Sequence, residues 1–401
     1  MTIAFFSNFL NHHQKLVADE LAFSEGIEYT FVETVPMYDW LKKGGYTDYS
    51  RESYVLRAWE NNENRRKAIE MAKEVDVALF GGPEVLYLEV IRAKYSDKLS
   101  FEVSERWLKR GILNILSPRL LKSQWYYHTL FRKKPFYKLC ASAFGAGDQY
   151  KLHSYIGRCY KWGYFIAVDK NFDVEVSVNV STTEITSLMW CSRFLLWKHP
   201  ELPILLAKNL KDKGYCFHLN MFGSGEKLGV SKQLVAELGL NDVISFCGNI
   251  PNAELLLEMR KHAIFMFTSD RNEGWGAVSN ESMSNGCVLV GSDAIGSVPF
   301  LVQDNLTGVV YSSASASTGF TKKGLKIDDE ALNSLTEKVE WLLRHPKERK
   351  RIAVNGFRNM YDVWSPANAA KNLLTLIDDL QNGRESSIKE GPCSKALPLN
   401  Y

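Results

Sequence analysis

Residues 263–292, AIFMFTSDRNEGWGAVSNESMSNGCVLVGS, contain the pattern that decides the fold. The apolar runs at both ends predict two strands, and the polar middle predicts a loop followed by a helix. We expect the first strand to end at Ser269. The helix should begin near Gly276 or Ala277 and end at Asn285, with Gly286 as its left-handed cap. A strand, a loop, a helix and a second strand in this order form one crossover unit of a parallel sheet.

The same alternation runs along the chain in two successive series. The first contains the apolar runs IAFFSN, EYTFVET, DVALFGG, KLSFEVS and FYKLCASAF, separated by helical patterns. The second contains EITSLMWCSRF, YCFHLNMFG, DVISFCG, AIFMFTS and CVLVGS, separated in the same way. The sequence therefore predicts an α/β protein of two units with parallel sheets, joined within residues 163–173.

Composition agrees with two soluble domains. The chain has 401 residues, 45% hydrophobic and 24% charged, and a net charge of +3 that is too small to indicate a nucleic-acid partner. The seven cysteines lack CxxC spacing, so we expect them to form neither disulfides nor a metal site. We expect them instead to be small buried hydrophobic residues of a protein in a reducing cytosol. No stretch approaches eighteen consecutive apolar residues, and the start indicates a first strand rather than a signal peptide.

Two glutamates, Glu273 and Glu281, flank the glycine-rich turn of the opening segment. The glycines leave backbone N–H groups bare where a helix begins, and partial positive charge there suits a phosphate. A carboxylate deeper in the helix suits the hydroxyls of a ribose, and the loop carboxylate suits a sugar beyond the phosphate. In the alternative interpretation, Glu273 only favours the helix dipole and Glu281 is a solvated surface residue.

A second group of polar residues follows the neighbouring predicted strands. Arg193 and Lys198 come after one strand, and Gly223 and Gly225 come after the next. Arg and Lys at strand ends suit a diphosphate, Arg as a fork and Lys as a point charge. The alternative is that Lys198 only favours a helix dipole or is solvated.

These motifs resemble a retaining glycosyltransferase of the large family 4. The matching stretches are SRFLLWKHPE, LNMFGSGE, the run from FCGNIP to NLTGVVY, and VWSPANAAKNLLTLIDDL. They span about Leu188 to Leu376, whereas the first half matches only in its alternation. SNFLNHHQ and SERWLKRG resemble a bacterial surface-polysaccharide subgroup.

The resemblance implies the GT-B architecture, two Rossmann-like domains facing across a cleft. Residues 1–165 would bind the acceptor and residues 166–360 the nucleotide sugar. A helix at 361–381 would pack back on the N-terminal domain. The composition of residues 382–401 predicts a disordered tail.

The resemblance also implies roles for individual residues. Arg193 and Lys198 would hold the donor diphosphate, Glu281 would bind the ribose, and Glu273 would face the donor sugar. Together, Glu273, Arg193 and Lys198 would form the catalytic set. The other implied donor-binding positions are Gly274, Trp275, Gly276, Ala277, Gly223, Gly248 and Asn249.

The implied reaction transfers a hexose-type sugar with retention. The donor would be a nucleotide-diphosphate sugar, with a UDP-sugar favoured, and the acceptor a saccharide or a polyprenyl-linked saccharide. We expect no cofactor and no metal ion, because cationic side chains and a helix terminus would do the electrostatic work.

The N-terminal half is less decisive. Family members often carry a glycine-rich turn after the first strand and a histidine near the donor sugar, and this sequence has SNFLNHH instead. Candidates for the acceptor or sugar side are Asn11, His12, His13 and Glu105. Structural histidines are the alternative for both imidazoles.

The segment 106–138 contains nine basic residues, no acid and several aromatic residues. One interpretation is contact with an anionic membrane, which would suit a lipid-linked acceptor. The other is an ordinary helix with a core face and a solvated basic face. We expect no nucleic-acid partner, since the sequence contains no known module.

These features predict a cytoplasmic enzyme of capsule or O-antigen assembly, peripheral to the inner membrane if 106–138 binds lipid. Two alternatives remain open: a non-catalytic nucleotide-sugar-binding partner subunit, and a GT-B nucleotide-sugar epimerase. A phosphorylase of the same architecture would need a lysine site for pyridoxal phosphate, and no such site is recognised.

Overall fold

The computed structural model describes residues 1–43, 45–180 and 185–399. The chain divides into two compact units. Unit 1 combines Met1–Ala167 with Val363–Tyr401, and unit 2 is Val168–Asp362. The chain thus passes between units two residues after the predicted boundary and returns to unit 1 before its last long helix.

Unit 1 is built on a seven-stranded parallel sheet. Its strands are β1 (Thr2–Ser7), β2 (Glu28–Glu33), β3 (Val55–Arg57), β4 (Val77–Gly81), β5 (Ser100–Ser104), β6 (Phe136–Cys140) and β7 (Cys159–Lys161). Their order is β3-β2-β1-β4-β5-β6-β7, and Ile3 of β1 lies opposite both Tyr29 and Val77. Strands covered by helices on both faces bury both sets of side chains, which explains the continuous apolar runs.

Six helices connect these strands. They are α1 (His12–Ala22), α2 (Asp39–Lys43), α3 (Asn62–Glu74), α4 (Leu86–Tyr95), α5 (Pro118–Thr129) and α6 (Gly145–Lys151). Short 3₁₀ turns lie at Pro83–Val85, Ile112–Leu116 and Phe131–Lys133. Side-chain caps fix where α1, α3 and α5 begin, because Asn11, Asn61 and Ser117 accept hydrogen bonds from backbone N–H groups of the first turn.

Unit 2 contains a six-stranded parallel sheet and a short hairpin. The parallel strands are β8 (Thr186–Cys191), β9 (Phe217–Phe222), β10 (Ile244–Gly248), β11 (Ile264–Phe267), β12 (Val288–Ser292) and β13 (Val309–Tyr311). Their order is β10-β9-β8-β11-β12-β13, and Leu188 of β8 lies opposite Leu219 and Ile264. The antiparallel hairpin joins β14 (Gly319–Thr321) and β15 (Gly324–Lys326).

The helices of unit 2 complete its two outer layers. They are α7 (Val174–Val180), α8 (Glu201–Asp212), α9 (Leu228–Glu237), α10 (Asn252–Met259), α11 (Val278–Ser284), α12 (Val298–Leu301), α13 (Asp329–Arg344) and α14 (Pro346–Arg358). The turn Leu196–Lys198 is a 3₁₀ helix, and Asn359–Val363 is a π-helix. Leu206 of α8, Leu335 of α13 and Ile352 of α14 are fully buried in one core with Leu219 and Ile264.

The predicted fold class, two Rossmann-like units with parallel sheets, is therefore confirmed. The opening segment forms β11, a loop, α11 and β12 as expected. Helix α11 ends at Ser284, one residue before the predicted end, and Gly286 has the left-handed φ of 81° expected of its cap. Differences of one or two residues are ordinary fraying at helix ends.

The C-terminal helix belongs to unit 1. Helix α15 (Pro366–Gln381) packs against α1, as the resemblance implied. Ser365 caps it by accepting a hydrogen bond from Asn368 N at 3.3 Å. Leu373, Leu376 and Ile377 are fully buried, so one apolar face attaches the helix to its unit.

The cysteines follow the prediction only in part. All seven are free thiols. Cys140, Cys159, Cys287 and Cys393 are buried, and Cys191 is half-buried. Cys216 and Cys247 are exposed, contrary to expectation. Cys247 lies on β10 at the edge of its sheet, and Cys216 directly precedes β9. Among the described residues, no helix is long and apolar enough to cross a bilayer.

The tail is ordered where the structure describes it, so the predicted disorder of 382–401 is wrong for residues 383–399. Lys161 N donates to Ser394 O at 2.8 Å, and Cys393 N donates back to Lys161 O at 2.7 Å. Ala396 N donates to Cys159 O at 3.0 Å, and an antiparallel bridge joins Tyr160 to Lys395. A polar composition does not reveal that the backbone satisfies the open edge of β7.

Deleting residues 383–401 should destabilise unit 1. The deletion removes these three backbone hydrogen bonds, worth roughly 1 kcal/mol each, and the expected loss is about 3 kcal/mol. It also bares an edge strand, so aggregation should increase. Calorimetry with light scattering checks both effects, with a chain ending at Leu399 as control. An unchanged melting temperature in the deletion variant would show that the tail contributes nothing.

Candidate functional site

The loops at the carboxyl ends of the unit 2 strands carry most of the predicted residues. Because parallel strands end at the same edge of the sheet, loops far apart in sequence meet there. The turn Leu196–Lys198 follows β8, and the loop that carries Glu273 follows β11, the neighbouring strand. Thr268 Oγ1 joins the two loops by donating to Lys198 O at 2.7 Å.

Lys198 and Glu273 form a buried ion pair. Lys198 Nζ donates to Glu273 Oε2, and Ser269 Oγ donates to the same oxygen at 2.8 Å. The ammonium also lies 4.3 Å from the ring of Trp197. Burial lowers the pKa of Lys198, and the positive charge of Arg193 lowers it further, whereas Glu273 opposes both effects. The structure therefore pairs Lys198 with Glu273 of the predicted catalytic set, both buried, and Arg193 lies exposed and near enough for its charge to act on Lys198.

The glycine-rich turn after Glu273 is anchored by Trp275. Its indole is fully buried, and Nε1 donates to Asn280 Oδ1 at 2.8 Å. Gly276 has a φ of 84°, and a Cβ there would lie 2.5 Å from the ring of Phe267. The predicted donor contact of Trp275 can therefore involve only its backbone, because its side chain packs into the core. Ala277 directly precedes α11 and is half-buried, and Gly274 is buried.

Glu281 lies on α11 and is half-buried. Asn252 Nδ2 donates to Glu281 Oε1 at 3.1 Å. Burial raises the pKa of this carboxyl, and the Asn252 hydrogen bond opposes the rise. The solvated-surface alternative for Glu281 does not fit this environment. Asn252 was missed by sequence reasoning, although its position in the NIPN stretch after β10 was a possible signal.

The turn after β9 requires glycine. Gly223 has a φ of 122°, and a Cβ on it would lie 1.9 Å from Ser192 O. Gly223 N donates to Gly248 O at 2.8 Å, and Asn249 Nδ2 donates to Ser224 Oγ at 2.9 Å. The predicted donor-binding residues of two separate loops, Gly223, Gly248 and Asn249, therefore lie together.

Sequence reasoning missed three buried polar residues beside Lys198. They are His199, Glu201 and Asp270, each at most 2% exposed. The first two belong to the quoted stretch WKHPE, and the third begins the loop after β11. The carboxylates come from different segments, so their shared contact with His199 is visible only in the fold.

The N-terminal candidates form a chain of contacts in unit 1. The ring of His13 stacks on Tyr164 at 4.7 Å, and Tyr164 Oη donates to Glu105 Oε1 at 2.7 Å. The His12 ring lies 3.7 Å from that of His13. Burial, with a smaller contribution from His12, lowers the pKa of His13 to about 3, so this imidazole is neutral at pH 7.

Asn11 has a structural role that the prediction did not give it. Its side chain accepts from His13 N at 3.0 Å and caps α1. A capping residue satisfies backbone groups of its own helix, which accounts for its position without a ligand.

Unit 1 contains a cavity of about 550 Å³ at the carboxyl end of its sheet. Its lining includes Glu89, Glu102, Glu105, Trp107, Tyr155 and Tyr164. Behind it, fully buried Lys138 pairs with Glu102 and donates to Ser104 Oγ at 2.9 Å. Burial, and then the charge of Glu102, raises the pKa of Glu89. The sequence signal was a charged residue inside each of two apolar strands, SFEVS and FYKLC.

Within the described ranges 1–43, 45–180 and 185–399, no cluster of three or more His, Cys, Asp or Glu residues could hold a metal ion.

Residues 178–359 match the family described as "Glycosyl transferases group 1". The matched part carries all the predicted donor-side residues. No curated protein sequence matches the chain.

Solved structures share the fold of the whole chain at low identity. HepE of Anabaena in complex with UDP is 13% identical, with a TM-score of 0.64, and covers 94% of this chain and 100% of its own. A glycosyltransferase from Rickettsia africae is 15% identical, with a TM-score of 0.63 and coverages of 95% and 98%. Sucrose-phosphate synthase from Thermosynechococcus elongatus is 14% identical, with a TM-score of 0.65 and coverages of 96% and 100%. At these identities the likeness establishes the fold.

Gly223→Ala should destabilise the site far more than Gly229→Ala. A Cβ at Gly223 meets a backbone oxygen at positive φ, and the expected loss in unfolding free energy exceeds about 1 kcal/mol. Gly229 lies in α9 with nothing within 4 Å of an added Cβ, so Gly229→Ala should leave stability unchanged or raise it by up to about 1 kcal/mol, because Ala favours a helix more than Gly does. Denaturant unfolding of both variants measures the difference, and equal effects would contradict the close approach.

Proposed function

We propose that the protein is a metal-independent glycosyltransferase. It moves a hexose-type sugar from a nucleotide-diphosphate sugar to a saccharide or lipid-linked saccharide, with retention of configuration. The observation that carries the proposal is the buried Lys198–Glu273 pair beside exposed Arg193, inside the part of the chain that matches a glycosyltransferase family. A UDP-sugar is favoured because the similar structure of HepE is described in complex with UDP.

The donor is proposed to bind along the loops of unit 2. Glu281, oriented by Asn252, accepts hydrogen bonds from the ribose hydroxyls, and Gly248 and Asn249 border the base. Arg193 and Lys198 contact the diphosphate. The tight turn at Gly223 lets this backbone approach its neighbours closely, because a Cβ on Gly223 would lie only 1.9 Å from Ser192 O.

The chemistry follows from where the charges lie. As the bond between the anomeric carbon and the leaving oxygen breaks, negative charge develops on the diphosphate, and Arg193 and Lys198 stabilise it. The acceptor oxygen forms its bond to the anomeric carbon from the same face, and its proton passes to the departing phosphate. Glu273 holds the ammonium in place and faces the sugar.

The acceptor is proposed to bind in the cavity of unit 1. Glu105 is held there by Tyr164, and the buried carboxyl of Glu89 supplies a polar group for sugar hydroxyls. Trp107 offers an aromatic surface in the same lining. Assembly of a bacterial capsule or O-antigen is the pathway we propose, on the resemblance of SNFLNHHQ and SERWLKRG.

Lys198→Ala should abolish transfer while leaving UDP binding measurable. Loss of one charge aimed at the leaving diphosphate should lower kcat by about 100-fold or more. Release of product from UDP-glucose and UDP-galactose, assayed in EDTA, measures transfer, and NMR of the product gives the anomeric configuration. Lys208→Ala is the matched control, because Lys208 lies on α8 of the same unit, with 36% of its side chain exposed, and pairs with Asp212. Near wild-type turnover in Lys198→Ala would contradict the assignment of Lys198.

The same assay separates the alternatives. A non-catalytic partner subunit would bind UDP, with binding lost in Glu281→Ala, yet show no transfer when purified alone. An epimerase would convert UDP-glucose without any acceptor. Loss of transfer in EDTA, with recovery when a divalent metal ion is added, would contradict the metal-independent part of the proposal.

We also propose that part of 106–138 contacts an anionic membrane. Apolar side chains stand exposed here, Leu113 by 74%, Leu116 by 66% and Trp125 by 60%. Exposed basic residues, Lys122 and Arg132 among them, lie along the same segment. Exposed apolar side chains with cations nearby fit the surface of an anionic bilayer and a location at the inner membrane.

Only part of the segment 106–138 is exposed and available for contact with a membrane. Its two end residues are not at the surface: Arg106 is buried with an ion pair to Asp148 at 3.4 Å, and Lys138 is fully buried. Leu120 and Tyr127 pack into the core, so α5 has the core face that the alternative interpretation predicted. The membrane proposal therefore rests on the exposed residues between them.

Liposome flotation tests the membrane contact. Vesicles with anionic phosphatidylglycerol should carry the wild-type protein, with binding reduced by salt because each basic residue near the surface contributes about 1 kcal/mol. The double variant Leu113→Ser, Leu116→Ser should remain behind. Leu257→Ser, at a residue 54% exposed on α10, is the control and should float. No flotation of the wild-type protein would end this proposal.

A further inference from the structure

His199 occupies a backbone conformation that residues other than glycine rarely adopt. Its φ is 47° and its ψ is 56°, in the left-handed region, directly after Lys198. His199 N donates to Leu196 O at 3.1 Å, and its own carbonyl accepts from Leu202 N at 3.1 Å. The strained residue is therefore the junction between the turn that carries Lys198 and helix α8.

The imidazole lies between two buried carboxylates. Nδ1 is 2.7 Å from Glu201 Oε1, within hydrogen-bond distance, and Nε2 is 3.5 Å from Asp270 Oδ2, an ion-pair separation. All three side chains are at most 2% exposed. A Cβ on Gly319 would lie 2.7 Å from Glu201 Oε1, so the hairpin backbone covers the pair.

These contacts connect the two loops that hold the proposed reaction site. Asp270 N donates to Trp197 O at 3.0 Å, and Glu273 N donates to Asp270 O at 3.0 Å. Asp270 Oδ1 accepts from both Asn272 N and Asn272 Nδ2 at 2.8 Å. His199 directly follows Lys198, and through Asp270 it is connected to the turn that presents Glu273.

Charge in this cluster favours a protonated imidazole. Burial disfavours the charged form, but the contacts with Asp270 and Glu201 outweigh it and raise the pKa of His199 from 6.5 to about 9. Lys198 directly precedes His199 and pairs with Glu273. Tyr311 faces the same cluster, and burial, with the charges of Asp293 and Glu201, raises the pKa of Tyr311. Stabilisation by the bridge is complete below pH 6.5 and is lost as the pH rises through about 9.

We propose that His199 is a positioning residue: its imidazolium bridges Glu201 and Asp270 and so holds Lys198 and Glu273 in the geometry that transfer requires. The inference rests on the proposed function. It assigns no contact with substrate to His199. Removing the bridge should let the two loops move apart, and a displacement near 1 Å lowers the rate by about 100-fold.

Substitutions at His199 separate the bridge from the backbone strain. His199→Gly relieves the strain and removes the bridge, whereas His199→Asn tolerates the left-handed conformation and also removes the bridge. Both should lower kcat by about 10- to 100-fold with a small change in the KM for donor. If His199→Gly kept wild-type kcat, the residue would matter only as a turn, and the proposal would be overturned.

Two nearly isosteric variants test the bridge without changing residue 199 or its backbone conformation. Glu201→Gln and Asp270→Asn each remove one negative charge, so each should lower kcat and shift the titration of His199 to lower pH. Glu237→Gln, at an exposed residue at the end of α9 in the same unit, is the control. Unchanged kcat in both carboxylate variants would overturn the proposal.

The protonation of His199 is measured without substrate. In ¹⁵N-histidine-labelled protein, one of the eight imidazoles should stay charged above pH 8, and its signal should be absent in His199→Asn. Absence of such a signal would overturn the bridge whatever the enzyme does. A normal signal in a wild-type protein that transfers no sugar would instead contradict the proposed function.

Discussion

The buried ion pair between Lys198 and Glu273 is the interaction on which the arrangement of the unit 2 loops depends. A charge taken out of water needs a partner, and removing one member of such a pair costs about 3–5 kcal/mol. The surroundings hold the pair from the core side: Trp190 Nε1 donates to Thr268 Oγ1 at 2.8 Å, and Thr268 Oγ1 donates to Lys198 O. Apolar packing would stabilise these loops as well or better, so the proposed transfer chemistry accounts for a buried ion pair here better than stability does.

The sequence revealed the topology because a parallel sheet with two covered faces turns each strand into an apolar run. It also predicted the positions of three polar residues: Lys198 and Glu273 in the loops after two strands, and Glu281 on the helix that follows. It did not reveal the bridge through His199, because Glu201 and Asp270 come from different segments and meet only when β8 and β11 pair. The stretch WKHPE also does not predict the left-handed backbone of its histidine, because the turn imposes that conformation.

The other differences between prediction and structure have a common physical origin. Composition describes side chains, but the tail is held by backbone hydrogen bonds to β7, which any sequence without proline at those positions could make. In the same way, the basic run 106–138 looks uniform, whereas Arg106 and Lys138 are buried with partners and only its middle reaches solvent. Burial depends on the register of each residue against its neighbours, which a list of charges does not contain.

Charge balance explains how the proposed anionic donor would fit an interior that already contains carboxylates. Glu273 neutralises Lys198, and His199 offsets part of the charge of Glu201 and Asp270, so these charges are compensated in part within the protein before any ligand arrives. Arg193 is exposed and supplies the positive charge that a diphosphate would meet first. A diphosphate would then compete with Glu273 for the Lys198 ammonium, and the competition is strongest when negative charge develops on the leaving oxygen. An ammonium whose pKa burial already lowers gains most from that new charge, so its stabilising effect is greater in the transition state than in the bound donor.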